Sequence, residues 1–226
     1  MTYNEIKEQA EKIKWWHSIQ IPSDDGQVYT TKGEVDHCSE ELATNRFGMP
    51  LDLTGKSVLD IGCWDGYFSF LAEKRNAKDV TGIDMLQGCS HHEQGTDGFF
   101  FAHKALNSKV SFNKASLEEY ATHNSREFDV VLYYGVLYHV ENPIAELKHL
   151  SALTKDYALI ETAISQKNEI NRPFWEFLNG FDNDHTNFWY PNILGLVSAL
   201  LYVGFKKVQV IYNDGIRATV KAYKND

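Results

Sequence analysis

The chain has 226 residues and a mass of 25.9 kDa, enough for one domain with a small lobe or cap. Hydrophobic residues make up 43% and charged residues 23%, the profile of a globular protein, and no apolar run approaches the roughly 18 residues of a membrane span. With 31 Asp and Glu against 22 Lys and Arg, the net charge is −9, which disfavours a large nucleic acid partner, because phosphate binding relies on clustered cations.

Met1–Ala10 is polar and charged, so no secretory leader is expected. Residues 1–50 read as an N-terminal extension or helical cap. Within it, Thr2–Trp16 has helix-like spacing at Ile6, Ala10, Ile13 and Trp16, Ile21–Gly26 is turn chemistry, and a short helix is expected around Ser39–Asn45. The main domain, residues 51–226, opens with a strand at Ser57–Ile61 and a helix at Tyr67–Arg75. A second strand at Asp79–Asp84, a helix within Phe99–Leu106 and a weak third strand at Val110–Phe112 follow. A fourth strand at Phe128–Tyr134, a helix at Pro143–Leu153 and a fifth strand at Tyr157–Thr162 complete the alternation, which implies an α/β fold with a parallel sheet covered on both faces. Residues 164–190 break it with an insert containing seven aromatics: Phe174, Trp175, Phe177, Phe181, Phe188, Trp189 and Tyr190. A helix over Pro191–Tyr202 and two strands, Lys206–Tyr212 and Ile216–Ala222, joined through Asn213-Asp214-Gly215, close the chain. The cysteines Cys38, Cys63 and Cys89 are odd in number and form no CxxC pair, which fits a reducing, cytoplasmic setting.

Asp60-Ile61-Gly62-Cys63-Trp64-Asp65-Gly66 joins the first strand to the first helix. In an open α/β sheet such a loop lies at the carboxyl ends of the strands, where ligands bind, and glycine lets the backbone come close to them. The loop is neither G-x-G-x-x-G nor a P-loop. Asp84, 18 residues after Gly66, ends the second strand, where a carboxylate is placed to accept hydrogen bonds from both ribose hydroxyls of an adenosine; the plainer alternative is a solvated helix cap.

Leu59–Gly66, Gly82-Ile83-Asp84 and Phe128–Gly135 together resemble a class I S-adenosylmethionine-dependent methyltransferase, over roughly residues 51–226. The resemblance implies a Rossmann-like, seven-stranded sheet of order 3-2-1-4-5-7-6 with the last strand antiparallel, S-adenosylmethionine as cofactor and S-adenosylhomocysteine as product. Where that family commonly has an Asp holding the adenine amino group, this chain has Ala115-Ser116-Leu117-Glu118, so backbone groups or Ser116 are expected there. Gly135-Val136-Leu137-Tyr138-His139, Glu161-Thr162, Tyr190-Pro191-Asn192 and Arg217-Ala218 are similar to the enzymes that methylate or carboxymethylate wobble uridine of tRNA, and Trp16-His17-Ser18-Ile19 to their small relatives. That likeness implies a cofactor site of Asp60, Gly62, Cys63, Trp64, Gly66, Asp84, Met85, Ser116, Leu117, Tyr134, Gly135 and Tyr138, capped by Trp16 and His17, with Arg217 nearby. The lysines and tryptophan of the carboxymethylating enzymes have no evident match here, nor does their long tRNA-binding part, so ordinary S-adenosylmethionine is expected.

His139, after the fourth strand, and His185, in the insert, are placed to act as general base; the plainer readings are a structural hydrogen bond and a solvated loop residue. Tyr138, Arg172, Trp175, Phe181 and Arg217 are the expected substrate contacts, with core packing or a surface ion pair as the alternatives. Asp182, Asp184 and His185, like His91-His92-Glu93, lack a ligand set with recognisable spacing, so no metal is expected. These readings point to methylation of an oxygen or nitrogen of a small metabolite by a monomer or homodimer without a membrane partner. The alternatives are a tRNA-modifying enzyme, favoured if Lys206, Lys207, Lys221 and Lys224 form a basic patch, and a cofactor-binding protein without turnover.

Overall fold

The computed structural model describes residues 1–35, 39–85, 95–167, 171–181 and 184–225. The N-terminal extension comprises α1 (Tyr3–Ala10), β1 (Trp15–His17), β2 (Gln20–Pro22), β3 (Val28–Thr30), β4 (Gly33–Val35) and α2 (Glu40–Asn45). The extension is therefore mixed, not helical throughout, and the helix expected as far as Trp16 ends at Ala10. Tertiary partners decide this. The Trp15 indole N–H donates to the Ala10 carbonyl at 2.9 Å, and β1 pairs in parallel with β4. The start of α1 was legible in the sequence, because Thr2 and Glu5 form a reciprocal capping box.

The main body runs β5 (Ser57–Ile61), α3 (Tyr67–Lys74), β6 (Asp79–Asp84), α4 (Gly95–Ala105), β7 (Ser111–Lys114), α5 (Leu117–His123) and β8 (Phe128–Tyr134). It continues with a 3₁₀ turn at Leu137–His139, α6 (Pro143–Leu153), β9 (Thr154–Ala163), β10 (Trp175–Phe177), β11 (Trp189–Pro191), α7 (Ile193–Tyr202), β12 (Lys207–Asn213) and β13 (Arg217–Tyr223). Seven strands form one sheet in the order β12-β13-β9-β8-β5-β6-β7. β13 is antiparallel to both its neighbours, so the expected order and its reversed last strand are present. β5 pairs in parallel with β6 on one side and β8 on the other, which places the topological switch point at its carboxyl end. Every residue of β5 is buried, as a strand covered on both faces requires.

Some boundaries differ from expectation. Pro191 closes β11, and α7 starts at Ile193 with Asn192 as its cap. α5 was not anticipated, although Ser116 and Glu119 form a capping box that marks its start. The insert is not all loop: β10 and β11 pair as a two-stranded flap.

The sheet separates two hydrophobic layers. Ile6, Trp15, Ile21, Phe47 and Met49 of the extension pack in one layer with Val58, Phe68, Phe99 and Leu132, while Leu59, Val131, Leu147, Leu196 and Leu200 fill the other. Arg75, 5% exposed, staples the extension to the end of α3. It donates to the carbonyls of Met49 and Pro50 at 3.0 Å each, to the Glu40 carbonyl at 2.9 Å and to Thr44 Oγ1 at 3.1 Å. No helix among the described residues is long and apolar enough to cross a membrane.

Under the second layer, the Tyr133 hydroxyl donates to Glu146 Oε1 at 3.2 Å, and burial pushes the Glu146 carboxyl up to about 7. Between its ordinary value of 4.5 and about 7, the folded protein holds a proton that the unfolded chain releases. This group therefore makes stability fall as pH rises through that window. Glu146→Gln is expected to flatten that decline when urea unfolding is followed from pH 4.5 to 7.5.

Candidate active site

The glycine loop crosses the carboxyl end of β6. Gly62 has φ +71°, and a Cβ there would lie 2.4 Å from Val136 Cγ2, so only glycine fits the turn. The Gly62 and Cys63 N–H groups both donate to the Ile83 carbonyl, at 2.9 and 3.2 Å. Trp64 takes φ +50° without being glycine and is held by its N–H donating to Asp84 Oδ2 at 2.9 Å. Asp84 thus shapes the loop as well as ending β6. Beside it Met85 is 45% exposed. Asp60 is buried and accepts from the Ser69 hydroxyl at 2.6 Å; burial pushes its carboxyl up to about 6. Burial, with the carboxylates of Asp60, Asp84 and Asp65, raises the Cys63 thiol, so it stays protonated and acts as a packing residue against Gly82.

Asp65 is the residue that sequence reasoning left out. It is 1% exposed; its Oδ2 accepts the backbone N–H groups of Trp16 and His17 at 3.0 and 2.8 Å, and its Oδ1 meets His17 Nδ1 at 2.5 Å. The His17 ring stacks on Tyr67, with centroids 5.5 Å apart. The cap is therefore clipped to the glycine loop through Asp65. Trp16 contributes its backbone to that clip, while its side chain is exposed. An acidic residue inside a glycine loop was the available signal.

Two expected cofactor contacts, Ser116 and Tyr134, hold bonds within the fold. The Ser116 hydroxyl donates to Glu119 Oε2 at 3.0 Å and accepts the Glu119 N–H at 3.1 Å, so it forms the α5 cap; Leu117 beside it is buried. Tyr134 packs against Phe47 and Phe68, with its hydroxyl donating to the Phe47 carbonyl at 3.0 Å, so it is core beneath the site. Beyond it, Gly135 donates to the Glu161 carbonyl at 3.0 Å.

Arg217 was expected to meet substrate. Its Nε and Nη2 instead donate to Oε1 and Oε2 of buried Glu161, at 2.5 and 2.8 Å, and its guanidinium lies 5.0 Å from the Tyr138 ring. Arg46 approaches the same carboxylate at 3.7 Å. Glu161→Gln leaves this cation pair facing a neutral side chain and is expected to cost about 3–5 kcal/mol in chemical denaturation. The double variant Glu161→Met/Arg217→Met should lose less than the single, because only the more distant Arg46 is then left without its carboxylate.

The insert flap stands over the 3₁₀ turn. Phe177 packs on Trp189 at 4.9 Å and Phe181 on Tyr190 at 5.8 Å, while both phenylalanines are more than half exposed. Trp175 packs partly on the core, and Arg172 is exposed, its carbonyl accepting from Asn192 Nδ2 at 2.8 Å. The flap is fastened by the Phe188 N–H donating to the Tyr138 carbonyl at 2.8 Å. Half-buried His139 places Nδ1 2.9 Å from Thr186 Oγ1 and 3.2 Å from the Thr186 carbonyl oxygen; burial holds the imidazole below its ordinary value. His185 is exposed. Asp182, Asn183, His91, His92, Glu93, Cys38 and Cys89 lie outside the described residues. Among those described, no group of three His, Cys, Asp or Glu is placed to hold a metal ion.

A glycine cradle at the switch point, with a strand-end carboxylate beside it, suits an adenosyl cofactor. The model of a family described as a methyltransferase domain matches residues 37–210. The chain belongs to this methyltransferase family. Its fold is the class I, S-adenosylmethionine-dependent type. Among solved structures, the N-terminal domain of EvdMO1, crystallised with SAH and D-fucose, superposes with a TM-score of 0.70 at 17% identity, over 100% of this chain and 98% of that one. The Burkholderia thailandensis 1,6-didemethyltoxoflavin-N1-methyltransferase, with S-adenosylhomocysteine bound, gives a TM-score of 0.55 at 18% identity, over 76% of this chain and 72% of that one. Among curated proteins, a tRNA U34 carboxymethyltransferase of Helicobacter hepaticus is 34% identical over 128 residues, 52% of this methyltransferase and 38% of that protein. One of Campylobacter lari is 29% identical over 163 residues, 71% and 53% respectively. The chain spans about a third to a half of the length of such curated relatives.

Proposed function

We propose that this methyltransferase transfers a methyl group from S-adenosylmethionine to an oxygen or nitrogen of a small-molecule metabolite in the cytoplasm. The cofactor, when bound, supplies a methyl group on a cationic sulfur. The Gly62–Gly66 backbone would hold it, Asp84 would accept from its ribose hydroxyls, and Met85, Leu117 and Tyr138 would line it. His139 ends the 3₁₀ turn that follows β8, and Val136, just before that turn, approaches Gly62 of the glycine loop. There it can take a proton from the acceptor, a contribution of roughly 10²–10⁴-fold. The flap aromatics would wall the acceptor and exclude water.

The observation that carries the small-molecule reading is where the lysines lie. Arg217 begins β13 opposite Ala163 at the mouth, whereas Lys221 pairs with Leu159 and Lys207 with Tyr223, towards the other end. Lys206 and Lys224 bond to that far end as well. Arg217 and Tyr223 are six residue steps apart along β13, on the order of 20 Å. A phosphate backbone held by these lysines would be directed away from the mouth. The second reading, a tRNA wobble-uridine enzyme, is favoured by the names of the curated relatives.

Calorimetry with S-adenosylmethionine tests the cofactor; no binding at millimolar concentration would refute the reading. Transfer of labelled methyl from the cofactor, screened over pooled metabolites with bulk tRNA as comparator, tests the acceptor. Label in metabolites supports the proposal. Label in tRNA alone would establish the second reading, and tight binding with no transfer at all would indicate a protein without turnover.

A further inference from the structure

We propose that Thr186 and Asp184 are positioning residues that hold His139 as the Nδ1–H tautomer, leaving the Nε2 lone pair to receive the proton of the acceptor; this rests on the reading of His139 as general base.

The argument is a count of protons. Asp184 Oδ1 accepts the Thr186 backbone N–H at 2.9 Å and its hydroxyl at 2.6 Å. Hydrogen bonds from Thr186, with His139 and His185 nearby, outweigh burial and keep the Asp184 carboxyl below its ordinary range, so it is an acceptor at neutral pH. A hydroxyl has one proton. With that proton given to Asp184, Thr186 Oγ1 can only accept from His139 Nδ1, 2.9 Å away. The second neighbour of Nδ1, the Thr186 carbonyl at 3.2 Å, is also an acceptor. Two acceptors facing one ring nitrogen require that nitrogen to carry the hydrogen. In the neutral imidazole, Nε2 is then bare, the form a general base needs. The base takes the acceptor's proton at Nε2 and becomes imidazolium, with Nδ1–H still directed at Thr186 and the Asp184 carboxylate close to the new charge. Among the described residues, Arg217, paired with Glu161, also faces His139 and opposes the imidazolium.

The contact is not needed to fasten the flap, because the Phe188 N–H to Tyr138 carbonyl bond already does so. The arrangement brings together a residue of the 3₁₀ turn and two of the insert, 47 and 45 positions apart in the sequence.

Long-range ¹⁵N–¹H correlation spectra of the full chain, labelled at histidine and without cofactor, report the tautomer directly. Neutral His139 should show the Nδ1–H pattern. Thr186→Val keeps the volume and the carbonyl but removes the hydroxyl. It should lower the Nδ1–H to Nε2–H ratio several-fold, and Thr186→Ser should restore it, while the signals of the other histidines stay in place. Should the valine variant fail to fold, Asp184→Ala, which removes the acceptor that orients the hydroxyl, is read in the same way. A wild-type Nε2–H pattern, or one ratio across all folded variants, overturns the proposal. The spectra need neither cofactor nor acceptor. Absence of methyl transfer with the Nδ1–H pattern intact would therefore count against the functional reading and not against the relay.

Discussion

Asp84→Ala is expected to weaken S-adenosylmethionine binding by at least about 100-fold. A hydrogen bond to a charged group contributes about 1.5–3 kcal/mol, and each 1.4 kcal/mol is tenfold in affinity, so losing two to the ribose hydroxyls reaches that size. The side chain has a second task, since its Oδ2 accepts the Trp64 N–H and holds that residue at φ +50°. Alanine removes both. Asp84→Asn keeps an acceptor for Trp64 while removing the charge, so it should preserve the loop and still lose much of the affinity. Calorimetry on the wild type and both variants, with thermal melts to confirm folding, separates the two effects. Affinity within threefold of wild type in the alanine variant would remove Asp84 from the cofactor site.

His139→Ala should lower kcat by about 10²–10⁴-fold with whichever acceptor the transfer screen identifies, while cofactor affinity stays within about twofold. Burial lowers the pKa of the imidazole, so it is neutral across the ordinary physiological range. The wild-type rate should therefore rise with pH only below the usual histidine value of 6.5 and lie flat above it, and that rising limb should vanish in the alanine variant. His185→Ala should change the rate by less than about threefold, because His185 is exposed on the turn and its neighbours Asp184 and Thr186, not its own ring, reach His139. The reverse pattern would exchange the two roles.

The strands and helices of the main body were readable because each carries a local signal. Phe128–Tyr134 is an uninterrupted apolar run apart from Asp129, and Pro143–Leu153 begins with proline after an Asn cap; both occupy the expected ranges. The extension was less readable. Three-residue strands such as Trp15–His17 have too few positions to show a period, and their partners are up to 49 residues away, at Asp65. Site residues followed the same division. Gly62 and Asp84 lie where motif spacing put them. Ser116 and Tyr134 also stand at the expected places along the chain, and their side chains bond to Glu119 and Phe47.

The sequence by itself determined the α/β alternation, the glycine loop and the strand-end Asp84. These depend on residue type at short spacing, where backbone dihedrals and burial act locally. Only the tertiary structure decided which polar groups meet. It placed Glu161 against Arg217, Asp65 against the backbone of the cap, and the Asp184–Thr186 pair against His139. A buried polar group is satisfied by whatever the fold brings within about 3 Å, and that partner is chosen by chain topology, not by its neighbours in sequence.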